Sequence, residues 1–334
     1  MKKILTHLFK GQILSKEESK QILIELASGN YNVSQMAAFM TVYCMRSITV
    51  DELEGFRDGM LELCLSVNLP SDQLIDLCGT GGDGKDTFNI STLSSFVVAG
   101  AGYKVAKHGN YGVSSSCGSS NVMEYLGYQF TNNEDTLKKT LDEANICFLH
   151  APLFHPAMKT VAPIRKELGV KTFFNMLGPM VNPAKPKHQM VGVFSLELAR
   201  LYAYLYQKTD KKYMIIHTLS GYDEVSLTDP FKLFSTTGEA LYTPEHLGGL
   251  LNAVDLAGGD TVEDSAKIFM NVLKGEGTQS QQMAVLANSA LAIHCLEDRK
   301  SLEDCYEIAK ESLISGKALS SFNKLIGNKV SIPV

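Results

Sequence analysis

Residue types and spacing first point to chemistry at Gly79-Thr80-Gly81-Gly82-Asp83-Gly84-Lys85-Asp86-Thr87. A short apolar run, Leu74-Ile75-Asp76-Leu77-Cys78, leads into it, and Asn89-Ile90-Ser91-Thr92 opens a helical pattern beyond it. A glycine turn at the carboxyl end of a strand lets backbone N–H groups approach an anion closely. A helix start adds free N–H donors, here with two hydroxyls and an amide. The segment also satisfies two nucleotide-binding spacings, and both then fail. G-x-G-x-x-G requires an acidic residue about 20 positions on, where the chain has Lys107-His108. G-x-x-x-x-G-K requires Ser or Thr next, where Asp86 stands, and Asp83 would put a carboxylate inside the cradle. A plain turn explains one or two glycines, not four in six residues. What survives is a polyphosphate site with a cation or a sugar hydroxyl beside Asp83. A sugar phosphate fits it better than a bare nucleotide.

Two further stretches belong with this loop. Lys107-His108-Gly109-Asn110 closes the next strand candidate and feeds the serine-rich run 114–120, offering a cation and hydroxyls as a second phosphate grip. Carboxyl ends of neighbouring parallel strands share one rim, so this turn is expected to face the glycine loop. Asp223-Glu224 follows another strand candidate. Acid pairs also occur at 51–52 and 142–143, so position alone gives this one meaning. Two carboxylates beside a pyrophosphate would repel it unless they hold magnesium. His150 and His155 have a structural reading open to them, and no Ser-His-Asp or Cys-His set is identifiable.

Elements must position these groups. Residues 1–70 read as helical: Ser15-Lys16-Glu17-Glu18 and Thr49-Val50-Asp51-Glu52 are capping-box starts, and 36–45 is a compact apolar helix. From 71 onward, strand candidates at 74–78, 103–106, 146–149, 190–193 and 213–216 alternate with helical stretches at 91–100, 134–144 and 196–207. That order predicts an α/β fold: a small helical N-terminal domain, 1–70, completed by a segment near 166–188, and a larger domain, 71–334, with a central, mostly parallel sheet. The 334 residues are 45% hydrophobic and 20% charged, enough for a sizeable core and against disorder. Seven cysteines, with no C-x-x-C pair, fit neither a disulfide framework nor a zinc site, and imply a reducing, cytoplasmic setting. A net charge of -5 disfavours a broad nucleic-acid face, and no apolar run reaches membrane-spanning length.

Seven motifs carry a resemblance: G-T-G-G-D at 79–83, N-I-S-T at 89–92, K-H-G-N at 107–110, G-S-S-N at 118–121, H-P-A-M-K-T-V-A-P-I-R at 155–165, F-N-M-L-G-P at 174–179 and G-Y-D-E at 221–224. In this order and spacing, with N-V-L-K-G at 271–275, the chain resembles the anthranilate phosphoribosyltransferases of tryptophan biosynthesis over nearly its whole length. The resemblance implies a phosphoribosyltransferase with the nucleoside phosphorylase type of α/β fold. Gly79, Gly82, Asp83, Thr87, Asn89, Ile90, Ser91 and Thr92 would then hold phosphoribosyl pyrophosphate. Lys107, His108, Gly109, Asn110, Tyr111, Gly112, Val113, Ser114, Ser115 and Ser119 would complete that grip. Gly79, Asn110 and Arg165 would contact anthranilate, and Ser91, Asp223 and Glu224 would hold Mg2+. It further implies a homodimer through the helical domain, with no nucleic-acid or membrane partner. Asn121 stands where Asp is common and Thr160 where His is frequent; Tyr111 stands where many members have Arg, so the diphosphate would lean more heavily on Lys107. The rival readings are a pyrimidine nucleoside phosphorylase, whose basic turn typically reads Lys-His-Ser, and a non-catalytic nucleic-acid-binding relative.

Overall fold

The structure, a computed structural model, describes residues 1–69, 72–112 and 117–327. Its backbone packs into two compact units, Met1–Val67 with Ala151–Lys185, and Asn68–His150 with Pro186–Val334.

The first unit is helical, and its caps are those the sequence announces. Glu18 N–H donates to Ser15 Oγ at 3.2 Å and Ser15 N–H to Glu18 Oε2 at 2.8 Å, starting the helix Lys16–Ala27. Thr49 and Glu52 repeat the box for the helix Val50–Glu62. Each box satisfies two N–H groups that a helix start leaves open. Glu52 is also fully buried, where it accepts from Arg46 Nη1 at 3.0 Å, the Tyr43 hydroxyl at 3.1 Å and Leu14 N–H at 3.1 Å. Burial pushes its carboxyl upward, yet Arg46 and the N–H groups of Thr49 and Leu14 pull it below the usual carboxylate value. Phe39, Tyr43, Phe56 and Phe173 form the aromatic centre, with Phe56 and Phe173 stacked at 4.3 Å. Phe173 arrives on the returning segment, which starts at Ala151 and not near 166. Both its ends are tied to 65–67, by Leu65 N–H to the Phe154 carbonyl at 2.8 Å and Val67 N–H to the Pro183 carbonyl at 3.4 Å.

Among the described residues, the second unit contains one seven-stranded sheet ordered β3-β2-β1-β4-β5-β6-β7. The strands are β1 (Ile75–Gly79), β2 (Val105–Gly109), β3 (Ile146–His150), β4 (His188–Gly192), β5 (Lys212–Thr218), β6 (Phe231–Ser235) and β7 (Gly238–Tyr242). The first five are parallel and the last two antiparallel, so the mostly parallel expectation is borne out. The hairpin β6–β7 lies outside the sequence reading. Residues 238–241 of β7 are all exposed, which erases the alternation that marks a strand. Helices Ile90–Gly100 and Gln279–Leu296 are deeply buried, and Phe96, Phe269 and Phe322 meet in the core.

Strand order decides where a ligand sits. The chain lays β1, β2 and β3 in one direction, then returns to place β4 on the other side of β1. In open parallel sheets, ligands bind at the carboxyl ends of the strands flanking such a reversal. Gly79 and Gly192 end those two strands and are direct partners in the register.

Candidate active site

Asp223 lies over this glycine pair. A Cβ on Gly79 would come within 3.0 Å of Asp223 Cγ and closer to its Oδ2, and one on Gly192 would overlap the Asp223 carbonyl. Any side chain at either position would therefore expel Asp223 from the rim. Gly192 has no motif around it, and sequence reading misses it. The glycine loop reaches back to the acids: Gly81 N–H donates to Asp223 Oδ2 at 2.6 Å, and Thr87 Oγ1 to Glu224 Oε2 at 3.1 Å.

Three carboxylates thus gather beside one helix start. Burial raises the affinity of Asp223 for its proton, the charge of Asp83 raises it further, and the Gly81 N–H only partly offsets both. Glu224 is raised by burial, then by Asp223 and Asp83, against hydrogen bonds from Thr87 and the Ser91 backbone. Such a cluster calls for a cation. Hard carboxylate oxygens and the nearby Ser91 suit magnesium, which takes one or two protein carboxylates and completes its shell with water and phosphate. Among the described residues, no group of three acidic, histidine or cysteine side chains is placed to hold a metal ion by itself.

Polar atoms around the loop also await partners. Thr80 Oγ1, Asp83 Oδ2, Asn89 Oδ1 and Thr92 Oγ1 are buried without a hydrogen bond. Buried polar atoms are nearly always paired, so four such atoms around one loop suit a polar ligand or ordered water there. Asn89 caps the helix Ile90–Gly100 without a side-chain cap bond, its Nδ2 donating instead to the Cys117 carbonyl at 3.1 Å. Ile90 is fully buried and anchors that first turn in the core. Gly82, with φ +78°, turns the loop ahead of Asp83.

The basic turn is arranged differently from a simple phosphate grip. Lys107 is almost wholly buried, and its Nζ donates to the Leu77 carbonyl at 2.6 Å. Burial lowers its pKa, against the opposing charges of Asp76 and Glu224. Its charge therefore bears on β1 and Glu224. His108 is buried as well, its N–H on Asp76 Oδ1 at 3.1 Å. Beyond buried Gly109, the Asn110 carbonyl accepts from Ser119 Oγ at 3.2 Å, and Asn110 Oδ1 from Tyr111 N–H at 2.8 Å. Asn121 Oδ1 pins the loop at both ends, accepting from Gly112 N–H at 2.9 Å and Gly118 N–H at 3.0 Å. This is acceptor work that the Asp common at 121 would also perform. Tyr111 packs edge-on against His150 at 4.9 Å, and Val113, Ser114 and Ser115 lie outside the described residues. His150 bonds Ser120 Oγ at 2.9 Å and His155 the Val181 carbonyl at 3.0 Å, both structural roles.

Arg165 belongs to the helical unit. Its helix, Ala162–Leu168, presents the guanidinium over the Phe174 ring at 5.3 Å, with Nη2 on Asn175 Oδ1 at 3.4 Å. Burial lowers its pKa, and among the described residues no carboxylate pairs with it. A guanidinium in this setting can pair with a carboxylate through charge-assisted hydrogen bonds.

Both units match known proteins. Residues 71–319 match the a/b domain of a glycosyl transferase family, and residues 2–64 match its helical bundle domain. The chain is 59% identical over 326 residues to the anthranilate phosphoribosyltransferase of Flavobacterium johnsoniae, covering 97% of this chain and 98% of that one. Among solved structures, it resembles the anthranilate phosphoribosyltransferase of Thermus thermophilus, with a TM-score of 0.90 at 31% identity, over 97% of this chain and 98% of that one. The Saccharomyces cerevisiae enzyme in complex with PRPP and Mg gives a TM-score of 0.90 at 27% identity, covering 97% of this chain and 96% of the other.

Proposed function

Because the chain belongs to the anthranilate phosphoribosyltransferase family, it transfers the phosphoribosyl group of phosphoribosyl pyrophosphate to the amine of anthranilate, and we propose that it does so at the rim around Gly79 and Gly192. The products are N-(5-phosphoribosyl)anthranilate and pyrophosphate, in tryptophan biosynthesis. The observation that carries the site is the gathering of unpartnered buried atoms at Thr80, Asp83, Asn89 and Thr92 around the glycine loop.

Anthranilate's amine is conjugated with its ring and attacks weakly. The barrier must therefore fall mainly through stabilisation of the departing diphosphate and alignment of the two substrates. Those N–H groups of 79–92 that are not bonded within the protein, together with the Thr92 hydroxyl, are assigned to the diphosphate oxygens. Asp83 accepts from a ribose hydroxyl, and the turn 107–115 with Ser119 closes the other side. Magnesium, held by Asp223, Glu224 and Ser91, supplies charge neutralisation when bound. Lys107 acts through Glu224, moderating the acid cluster, and so contributes to the diphosphate site indirectly. Arg165, on the helical unit, is the group this reading assigns to the anthranilate carboxylate. A homodimer joined through the helical unit belongs to this reading, supported by exposed Phe9, Ile13 and Met45 on that unit. A cytoplasmic setting fits as well, and among the described residues no helix is long and apolar enough to cross a membrane. Fluorescence detection of phosphoribosyl anthranilate from the two substrates, with and without magnesium, tests the reaction. Product formation is expected only with the metal, and turnover of thymidine with phosphate in its place would restore the phosphorylase reading.

A further inference from the structure

Asn288 sits where a polar residue needs a reason. It is almost fully buried in the middle of the helix Gln279–Leu296, among Ala284, Val285, Ala287 and Leu291, which are buried too. Asparagine is a mediocre helix former, and an unpaired buried amide is costly. Every side-chain bond it makes is directed: Oδ1 accepts from Val225 N–H at 3.2 Å, Nδ2 donates to the Val225 carbonyl at 2.9 Å, and Nδ2 also donates to the Ala284 carbonyl at 2.8 Å. The first two bonds take both backbone polar groups of one residue, as a neighbouring strand would. Val225 follows Glu224 directly. On the other side, Thr218 Oγ1, at the end of β5, donates to the Glu224 carbonyl at 2.6 Å.

We propose that Asn288 is a positioning residue for the reaction, a side-chain clamp on Val225 that fixes where Asp223 and Glu224 present their carboxylates. The peptide between 224 and 225 is gripped from the core helix and from β5 together. That leaves the acid pair little backbone freedom despite its place in a turn without strand partners. Groups that orient metal-holding side chains typically cost 10–100-fold in metal affinity or activity when removed. The inference rests on the reading of Asp223 and Glu224 as the magnesium-holding pair.

Asn288→Leu keeps the branching and heavy-atom count of the side chain, favours the helix, and removes all three bonds. The expected result is a roughly 10–100-fold rise in the magnesium concentration for half-maximal activity, with the KM for anthranilate unchanged. Two readouts stand apart from turnover: the rise in melting temperature on adding magnesium chloride should shrink, and the Val225 amide should exchange with solvent faster than in the parent protein. Should the leucine variant not fold, Asn288→Asp keeps the acceptor for Val225 N–H and loses both donors, and is read the same way. The control is Asp223→Asn with Glu224→Gln. If the control loses the magnesium response while the Asn288 variants keep a parental one, the clamp is refuted and the metal reading stands. If the control also keeps the parental response, the metal reading fails and the proposal falls with it.

Discussion

Replacing Arg165 with methionine should separate binding from stability with opposite signs. The guanidinium is half-buried on Phe174 at 5.3 Å, has one long hydrogen bond to Asn175 at 3.4 Å, and has no acidic partner among the described residues. Burial already disfavours its charged form. A cation held this way costs the empty protein stability, because hydration is lost and no anion replaces it. Methionine puts an unbranched apolar side chain in place of the guanidinium against the ring and removes the charge, so the melting temperature should hold or rise. The anthranilate carboxylate would lose its charge-assisted hydrogen bonds, worth about 1.5–3 kcal/mol. At about 1.4 kcal/mol per factor of ten, that is roughly a 10- to 150-fold weaker affinity. Fluorescence kinetics should show it in the anthranilate KM, with the KM for the sugar substrate little changed. Calorimetric titration of anthranilate checks that KM reflects binding. Arg165→Lys should fall between the two, keeping the charge and losing the planar fork. An equal rise in both KM values, or a melting temperature several degrees lower in the methionine variant, would refute the reasoning.

Three other outcomes are expected. Asp223→Asn with Glu224→Gln should raise the melting temperature measured in a chelator, since burial and mutual charge disfavour those carboxylates, and should abolish stabilisation by magnesium. Gly192→Ala should lose magnesium-dependent activity, because its methyl group occupies the place of the Asp223 carbonyl; a parental magnesium titration would count against that crowding. Glu52→Ala should lower stability by about 3–5 kcal/mol in chemical denaturation, stranding Arg46. Because the Glu52 carboxyl is held below its usual 4.5, its contribution is complete above that pH and is lost as pH falls through the lowered value, so parent and variant should converge in acid.

Much of this is legible in the sequence, for identifiable reasons. The caps at Ser15 and Thr49 are local chemistry that tertiary packing does not override, and the apolar runs of β1 to β5 belong to strands buried on both faces. Loop and acid pair were readable because glycine, Asn-Ile-Ser-Thr and Asp-Glu each follow a strand end. What stayed hidden is non-local. Gly192 is an ordinary strand-ending glycine until Asp223 crosses it. Asn288 is one polar residue in a long helix, and its partner lies 63 positions away. The inward turn of Lys107 escapes notice because a basic residue at a strand end reads as a rim group. Only the packed strand shows that its ammonium satisfies Leu77.

That inward turn bears on how an acidic protein holds a polyanion. A net charge of -5 describes the chain, and the site itself is no more basic: Asp83, Asp223 and Glu224 gather there, Lys107 is directed to a carbonyl, and Lys85 lies over the Tyr222 ring at 4.8 Å. Attraction for phosphate must then come from backbone N–H groups and from a cation that the acids recruit. The distinction matters for selectivity. A cluster of lysines would draw in any phosphate ester by long-range charge. Carboxylates repel an anion that arrives without a metal and favour one that shares its metal with them, so on the proposed reading this pair would favour a metal-bound diphosphate over free phosphate. Selection of this kind requires the carboxylates to keep their places when the metal is absent. Two glycines without side chains and a buried amide on Val225 meet that requirement.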